Sequence, residues 1–203
     1  MELGYEALIK AGAKDSHESM LAYRTDLYQR CKNDIAMQSA VMACCREDVL
    51  FFYNAFLWVF EPRARIRQRP GKKPLPQSLP FNTWPHQDTA LRAMASEECG
   101  LGIMDVGVIK SRGEGASWMA VMKALYDIIF KKDQEIGMAS SSLPKTDTYG
   151  DRSSLFGKID WSLTMLPVWM VGDARMLNET DETDDWIRNK SKHLLKYKPN
   201  NSI

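Results

Sequence analysis

The stretch "DVGVIKSRGEGASWMAVMKAL", residues 105–125, constrains this chain more than any other part of it. A short apolar run, residues 107–110, is bounded by turn residues, as a buried parallel strand would be. Gly113 and Gly115 then make a small-residue turn. After it, Trp118, Val121, Met122, Leu125, Ile128 and Ile129 recur at the three-and-four spacing of one helical face. A second short apolar stretch, residues 135–140, reads as another buried strand. Residues 153–166 form an amphipathic helix that Pro167 ends. Strand, helix, strand, helix in that order implies right-handed crossovers and a parallel sheet flanked by helices, so the expected fold class is α/β.

Upstream the pattern is helical. Asp15 and Glu18 have the spacing of a capping box, and Met20, Tyr23, Leu27 and Cys31 follow at helical intervals. Residues 48–60, "DVLFFYNAFLWVF", are aromatic enough for a helix buried nearly all round, with Pro62 as its stop. Residues 62–80 are rich in proline and positive charge and lack periodicity, which predicts a loop or arm. Residues 85–95 read as a short helix with Leu91 and Met94 on one face. The acidic stretch 173–190 reads as an exposed excursion, and residues 193–198 as one further strand. The expected division is a helical N-terminal region (1–62), a basic loop (63–80) and an α/β core (81–203).

A chain of 203 residues can bury a real core within one domain. Its 27 basic and 26 acidic side chains leave a net charge of +1, which excludes coating of nucleic acid by bulk charge but allows a local basic patch. One dense run qualifies: Arg63, Arg65, Arg67, Arg69, Lys72 and Lys73. It could track DNA phosphates, or it could be a solvated arm or a docking element. The four cysteines form no C-x-x-C pair and read as reduced thiols. The three histidines have no ligand spacing. No apolar run reaches the roughly 20 residues of a membrane span, and no signal peptide is visible.

A standard phosphate loop reads G-x-x-x-x-G-K-[ST]. Aligned on Gly115, Ser117 takes the metal-ligating position and Ala116 stands where lysine is expected, while Lys110 falls at the first position. Gly113 and Gly115 would let backbone N–H groups approach phosphates, and the helix N-terminus adds its dipole. The missing cation could come from Lys110 or Arg112 folding across Ser111, Glu114 and the glycines. The alternative is a strand-to-helix turn whose glycines serve geometry alone. Ahead of it, "LPFNTWPHQ" (79–87) offers Gln87, whose amide could give and accept one hydrogen bond each with adenine, and Trp84 or Phe81 to cover the ring. Beyond it, Asp147 and Asp151 lie in the loop after the second expected strand, where ligands collect in open α/β sheets.

In order along the chain, "CREDVLFFYNAFLWVFEPR", "LPFNTWPHQ", "IKSRGEGASW", "ASSSLPKTDTYGDRSSLFGKIDWSLTMLPVW" and "YKPNNSI" resemble segments of the ATPase region of the large terminase subunit of tailed bacteriophages, the motor that packages DNA. The resemblance runs from about residue 40 to residue 203. It implies a P-loop NTPase-type sheet, ATP and Mg²⁺ as cofactors, Gln87 at the adenine, Lys110 or Arg112 as the phosphate cation, Gly115 in the loop and Ser117 on the metal. It also implies double-stranded DNA, the small terminase subunit and the portal protein as partners, a homo-oligomer on the prohead and the host cytoplasm as the setting. Two departures stand out. Ser141 sits where the family often has arginine, and no apolar strand ending in Asp-Glu follows the loop. The expectation is therefore an N-terminal portion of such a motor, truncated, whether a trimmed piece, a split gene product or a prophage remnant, with little hydrolysis of its own. The competing expectation is a non-catalytic module that binds nucleotide or packaging partners.

Overall fold

The computed structural model describes residues 2–61, 76–95, 115–148, 150–176, 180–189 and 191–203. The N-terminal region is built from α1 (Tyr5–Lys10), α2 (His17–Cys31), α3 (Ile35–Glu47) and α4 (Val49–Phe56). Side-chain caps define three of these starts. Ser16 accepts from Ser19 N at the head of α2, Asp34 from Met37 N at α3, and Asp48 from Phe51 N at α4. The cap of α2 is thus Ser16, one residue beyond the expected Asp15.

Every residue of α4 is buried, and it forms the centre of the core. Phe52 packs edge-on to Phe130 with ring centroids 5.1 Å apart, and Phe56 meets Trp169 at 6.0 Å. The helix ends at Leu57 rather than at Pro62, because Arg24 reaches in from α2 and takes its last carbonyls. Its Nε donates to Asn54 O at 2.8 Å and its Nη2 to Leu57 O at 2.7 Å. The chain then turns extended as β1 (Trp58–Phe60), which pairs antiparallel with β2 (Ser78–Pro80). This ladder clamps together the two flanks of the basic run. Arg63, Arg65, Arg67, Arg69, Lys72 and Lys73 themselves lie outside the described residues.

The second half comprises α5 (Pro85–Ala95), α6 (Ala116–Phe130), α7 (Leu143–Thr146), α8 (Leu155–Met165), α9 (Val168–Val171), and the strands β3 (Thr180–Glu182), β4 (Trp186–Asn189) and β5 (Leu194–Tyr197). Helix α6 buries the expected Val121, Met122, Leu125, Ile128 and Ile129, but Met119, Lys123, Ala124, Tyr126 and Phe130 are buried as well and Trp118 is half-buried.

The expected α/β fold with a P-loop-type parallel sheet is corrected. Among the described residues the strands pair only antiparallel, as β1–β2 and as β3–β4–β5, and the architecture is mostly helical. Residues 107–110 lie outside the described residues. Residues 135–140 belong to no strand. Helices α4, α6 and α8 cover the apolar surface that a sheet would otherwise bury. The acidic stretch 173–190 is also not an exposed excursion: Trp186 and Arg188 are fully buried on β4.

Candidate functional site

Of the residues singled out in the sequence, Gln87 and Gly115 meet at the open end of α6, with Ala116 and Ser117 in its first turn. Gly115 precedes the helix with φ +71°, a left-handed conformation that glycine adopts without cost, and no side chain caps the helix there. Helices α2, α3 and α4 are capped as above, and Ser154 caps α8 by accepting from Gly157 N. The first-turn N–H groups of α6 therefore keep their partial positive charge without a side-chain acceptor. Gln87 lies directly against this turn. A Cβ placed on Gly115 would sit 3.2 Å from Gln87 Nε2. Ser117 is exposed and Ala116 half-buried in the first turn. Lys110, Ser111, Arg112, Gly113 and Glu114 lie outside the described residues.

Gln87 is only 5 % exposed, and its Oε1 accepts from Trp84 N at 2.9 Å. That is the third-position half of a capping box at the start of α5, and it fixes the amide with its nitrogen towards Gly115. Phe81 is buried, whereas Trp84 is 51 % exposed and stacks near His86. Trp84 is thus the aromatic face open to a ligand ring.

A polar network holds this segment to the N-terminal helices. Thr83 N donates to Asn54 Oδ1 at 3.0 Å, and Lys14 Nζ lies 3.1 Å from both Thr83 Oγ1 and Asp88 Oδ2. Tyr5 donates its hydroxyl to Asp88, and burial followed by that carboxylate raises its pKa. Removal of these groups from water is offset by mutual pairing, which gives α5 one orientation.

Two cations of the α8 region lie over aromatic rings, one of them beside the first turn of α6. Lys158 Nζ lies 5.6 Å from the ring centre of Trp118, in the first turn of α6, and Trp118 meets Trp161 edge-on. Arg152 covers Phe60 at 4.6 Å and Trp161 at 5.3 Å. Lys158 is 7 % exposed and donates to Ser153 O and Ser154 O, the latter at 3.2 Å. Among the described residues no carboxylate pairs with either cation. Burial lowers the Lys158 pKa, with Asp151 acting the other way. The sequence reading passed over both side chains. The usable signal was that Ser154, Lys158 and Trp161 share a helical face.

A second cluster was equally hidden. Arg188 Nη2 donates to Asp147 Oδ1 at 2.6 Å and its Nε to Asp160 Oδ1 at 3.0 Å, while His193 Nδ1 sits 3.1 Å from Asp147 Oδ2. Burial opposes the Arg188 charge, but the hydrogen bonds to Asp147 and Asp160 outweigh it and raise its pKa. Burial raises that of Asp160 against the pull of Arg188. Asp147 is therefore committed to a buried ion pair and does not face a ligand. Asp151 is exposed, and hydrogen bonds from Ser153 lower its pKa.

Among the described residues no group of three or more His, Cys, Asp or Glu side chains could hold a metal, and no helix is long and apolar enough to cross a membrane. Cys31, Cys44 and Cys45 are free thiols. Compared with protein-family models, with curated proteins and with solved structures, the chain matches none.

Proposed function

We propose that this chain is the ATP-binding portion of a DNA-packaging motor of the phage terminase large-subunit kind. The observation that carries the reading is the meeting of Gln87 with Gly115 at the uncapped end of α6. Phosphates would lie against the first-turn N–H groups of α6, with Lys110 or Arg112 contributing from the preceding loop and Lys158 and Arg152 from the α8 side. The donor set fits a polyanion: N–H groups without a side-chain acceptor and two cations without a carboxylate partner among the described residues. Trp84 would face the base, and Gln87 would fix the turn. Ser117 would hold Mg²⁺, which when bound screens the charge of the phosphate oxygens.

Double-stranded DNA would be met through Arg63, Arg65, Arg67, Arg69, Lys72 and Lys73, the basic run between β1 and β2 in the sequence. The small terminase subunit and portal would be protein partners in the host cytoplasm. The reading rests on the site and carries no parallel sheet with it. The 203 residues contain no apolar strand ending in Asp-Glu, so turnover by this chain alone is expected to be far below that of a complete motor.

ATP with Mg²⁺ should raise the melting temperature of the wild type and shift the Lys110→Ala, Arg112→Ala double variant less. Equal shifts, or none, would overturn the reading. A second reading, a binding module without turnover, is favoured by the mostly helical architecture. A steady-state phosphate-release assay separates the two: rapid turnover would exclude the module.

A further inference from the structure

Helix α5 is held in the core by little of its own surface. Along it only Gln87 and Leu91 are buried, with Ala90, Met94 and Ala95 partly packed against the core. A helix seated on one buried leucine can roll about its axis, so its apolar packing does not fix where the Gln87 amide points. Hydrogen bonds behind such a side chain are what lock it. Here they converge on the residue ahead of the helix. Thr83 is 2 % exposed, and three elements meet at its hydroxyl. It donates to Asp88 Oδ1 on α5. It accepts from Asn54 Nδ2 of α4 at 2.9 Å and from Lys14 Nζ, in the turn between α1 and α2, at 3.1 Å. A hydroxyl has one donor and two acceptor positions, so all of them are used.

The junction is anchored on its other sides as well. Asn54 is fully buried, donates also to Leu50 O at 2.9 Å and accepts from Thr83 N at 3.0 Å through Oδ1. Lys14 Nζ lies 3.1 Å from Asp88 Oδ2 and donates to the Tyr5 hydroxyl, while Lys14 O accepts from Asn82 Nδ2 at 3.3 Å. Thr83 leads straight into Trp84, whose N–H donates to Gln87 Oε1 at 2.9 Å, and the nitrogen of that amide lies against Gly115. A continuous run of contacts thus joins the turn between α1 and α2 to the open end of α6.

We propose that the Thr83 hydroxyl is the positioning group of the nucleotide end, through which the turn between α1 and α2 sets the contact of Gln87 with Gly115. Its functional consequence rests on the ATP reading, whereas the positioning itself is a property of the unliganded chain. Thr83 touches no ligand and acts through Gln87. Without its hydroxyl, Asn54 Nδ2, Lys14 Nζ and Asp88 Oδ1 each lose a partner in a region nearly closed to water, and the first turn of α5 loses its lock. The Gly115 turn is then no longer held, and the N–H groups of α6 meet phosphates in a poorer geometry. Lys14 extends this control to the N-terminal helices. Whatever removes its charge or displaces its turn loosens the same contact, so α1 and α2 tune the site as well as bracing the core.

The test compares Thr83→Val, which keeps the shape and deletes the hydroxyl, with Thr83→Ser, which keeps the hydroxyl. In the full chain without ligand, NMR follows the Gln87 side-chain amide and the Gly115 backbone amide, because chemical shifts report the native state whatever its stability. Thr83→Val should move both resonances and weaken binding of ATP with Mg²⁺ several-fold in calorimetry. Thr83→Ser should return the resonances and the affinity towards those of the wild type. Should Thr83→Val not fold, Lys14→Met takes its place and must move the same two resonances. Resonances that stay at their wild-type positions would overturn the proposal. So would failure of Thr83→Ser to restore them, or an unchanged ATP affinity when they move. If the wild type binds no ATP, the nucleotide reading falls, and the resonances alone still decide the positioning.

Discussion

The two ends of α6 differ in how completely they are finished. At its C-terminus, Asn200 Nδ2 donates to Ile128 O at 3.3 Å and also to Ile129 O, and Ser202 Oγ donates to Lys131 O at 3.1 Å. Asp133 N returns a bond to Asn200 O at 2.9 Å. The segment after β5 thus works as an external cap for the carbonyls that every helix leaves over. At the N-terminus there is a left-handed glycine, no side-chain cap and a buried glutamine amide held against the turn. One helix therefore carries a closed structural end and an end whose first-turn donors have no side-chain acceptor among the described residues. The contrast locates function better than α6 as a whole does, because its middle is ordinary core.

The largest effect should come from the buried ion cluster around Arg188, away from both ends of α6. Arg188→Ala leaves Asp147 and Asp160 as buried carboxylates without their cation, and should cost about 3–5 kcal/mol in urea unfolding. If it instead weakens ATP binding with stability intact, the division between the two ends is wrong. Asn200→Ala removes the donor to two carbonyls and should cost about 1–3 kcal/mol. It should speed amide exchange in the last turn of α6 and leave nucleotide affinity unchanged.

Gly115→Ala acts at the other end. A side chain at φ +71° strains the backbone by about 1–2 kcal/mol, and the added Cβ meets Gln87 Nε2. Here affinity for ATP should fall as well, as read by calorimetry. Loss of stability with unchanged affinity would reduce the turn to geometry.

The smallest change in stability is expected for Lys158→Met, which removes a buried cation that has no carboxylate partner among the described residues. Its melting temperature should stay near that of the wild type, while ATP affinity drops several-fold. A pH series sharpens this. Because burial holds the Lys158 pKa below its ordinary 10.5, the charged form costs folding stability at neutral pH. That cost disappears as pH rises through the lowered value. A bound anion favours the charged form, so wild-type affinity should weaken as pH rises through that range, and weaken less in Lys158→Met.

How much of this was legible in the sequence depended on locality. Helix α6 could be read because its apolar residues recur within a few turns, and α8 likewise. Gln87 and Gly115 could be singled out because each sits in a turn with its own chemistry, although their contact could not be foreseen. Lys158 was missed because Trp118, the ring it lies over, is distant in the chain. Arg188 was missed because its stretch is crowded with acids and looks solvated. Its burial depends on Asp147 and Asp160, which only the fold brings to it. The parallel sheet failed for a related reason. Strand pairing is a non-local choice, and among the described residues 134–139 pair by backbone only with Ile203.

The most direct measurement is an NMR titration of the chain with ATP and Mg²⁺, following the backbone amides at both ends of α6. The account predicts the largest saturable shifts at Gly115, Ala116, Ser117 and Trp118, with Lys131 to Asp133 unmoved. No saturable shift at Gly115–Trp118, or shifts of equal size at both ends, would contradict it.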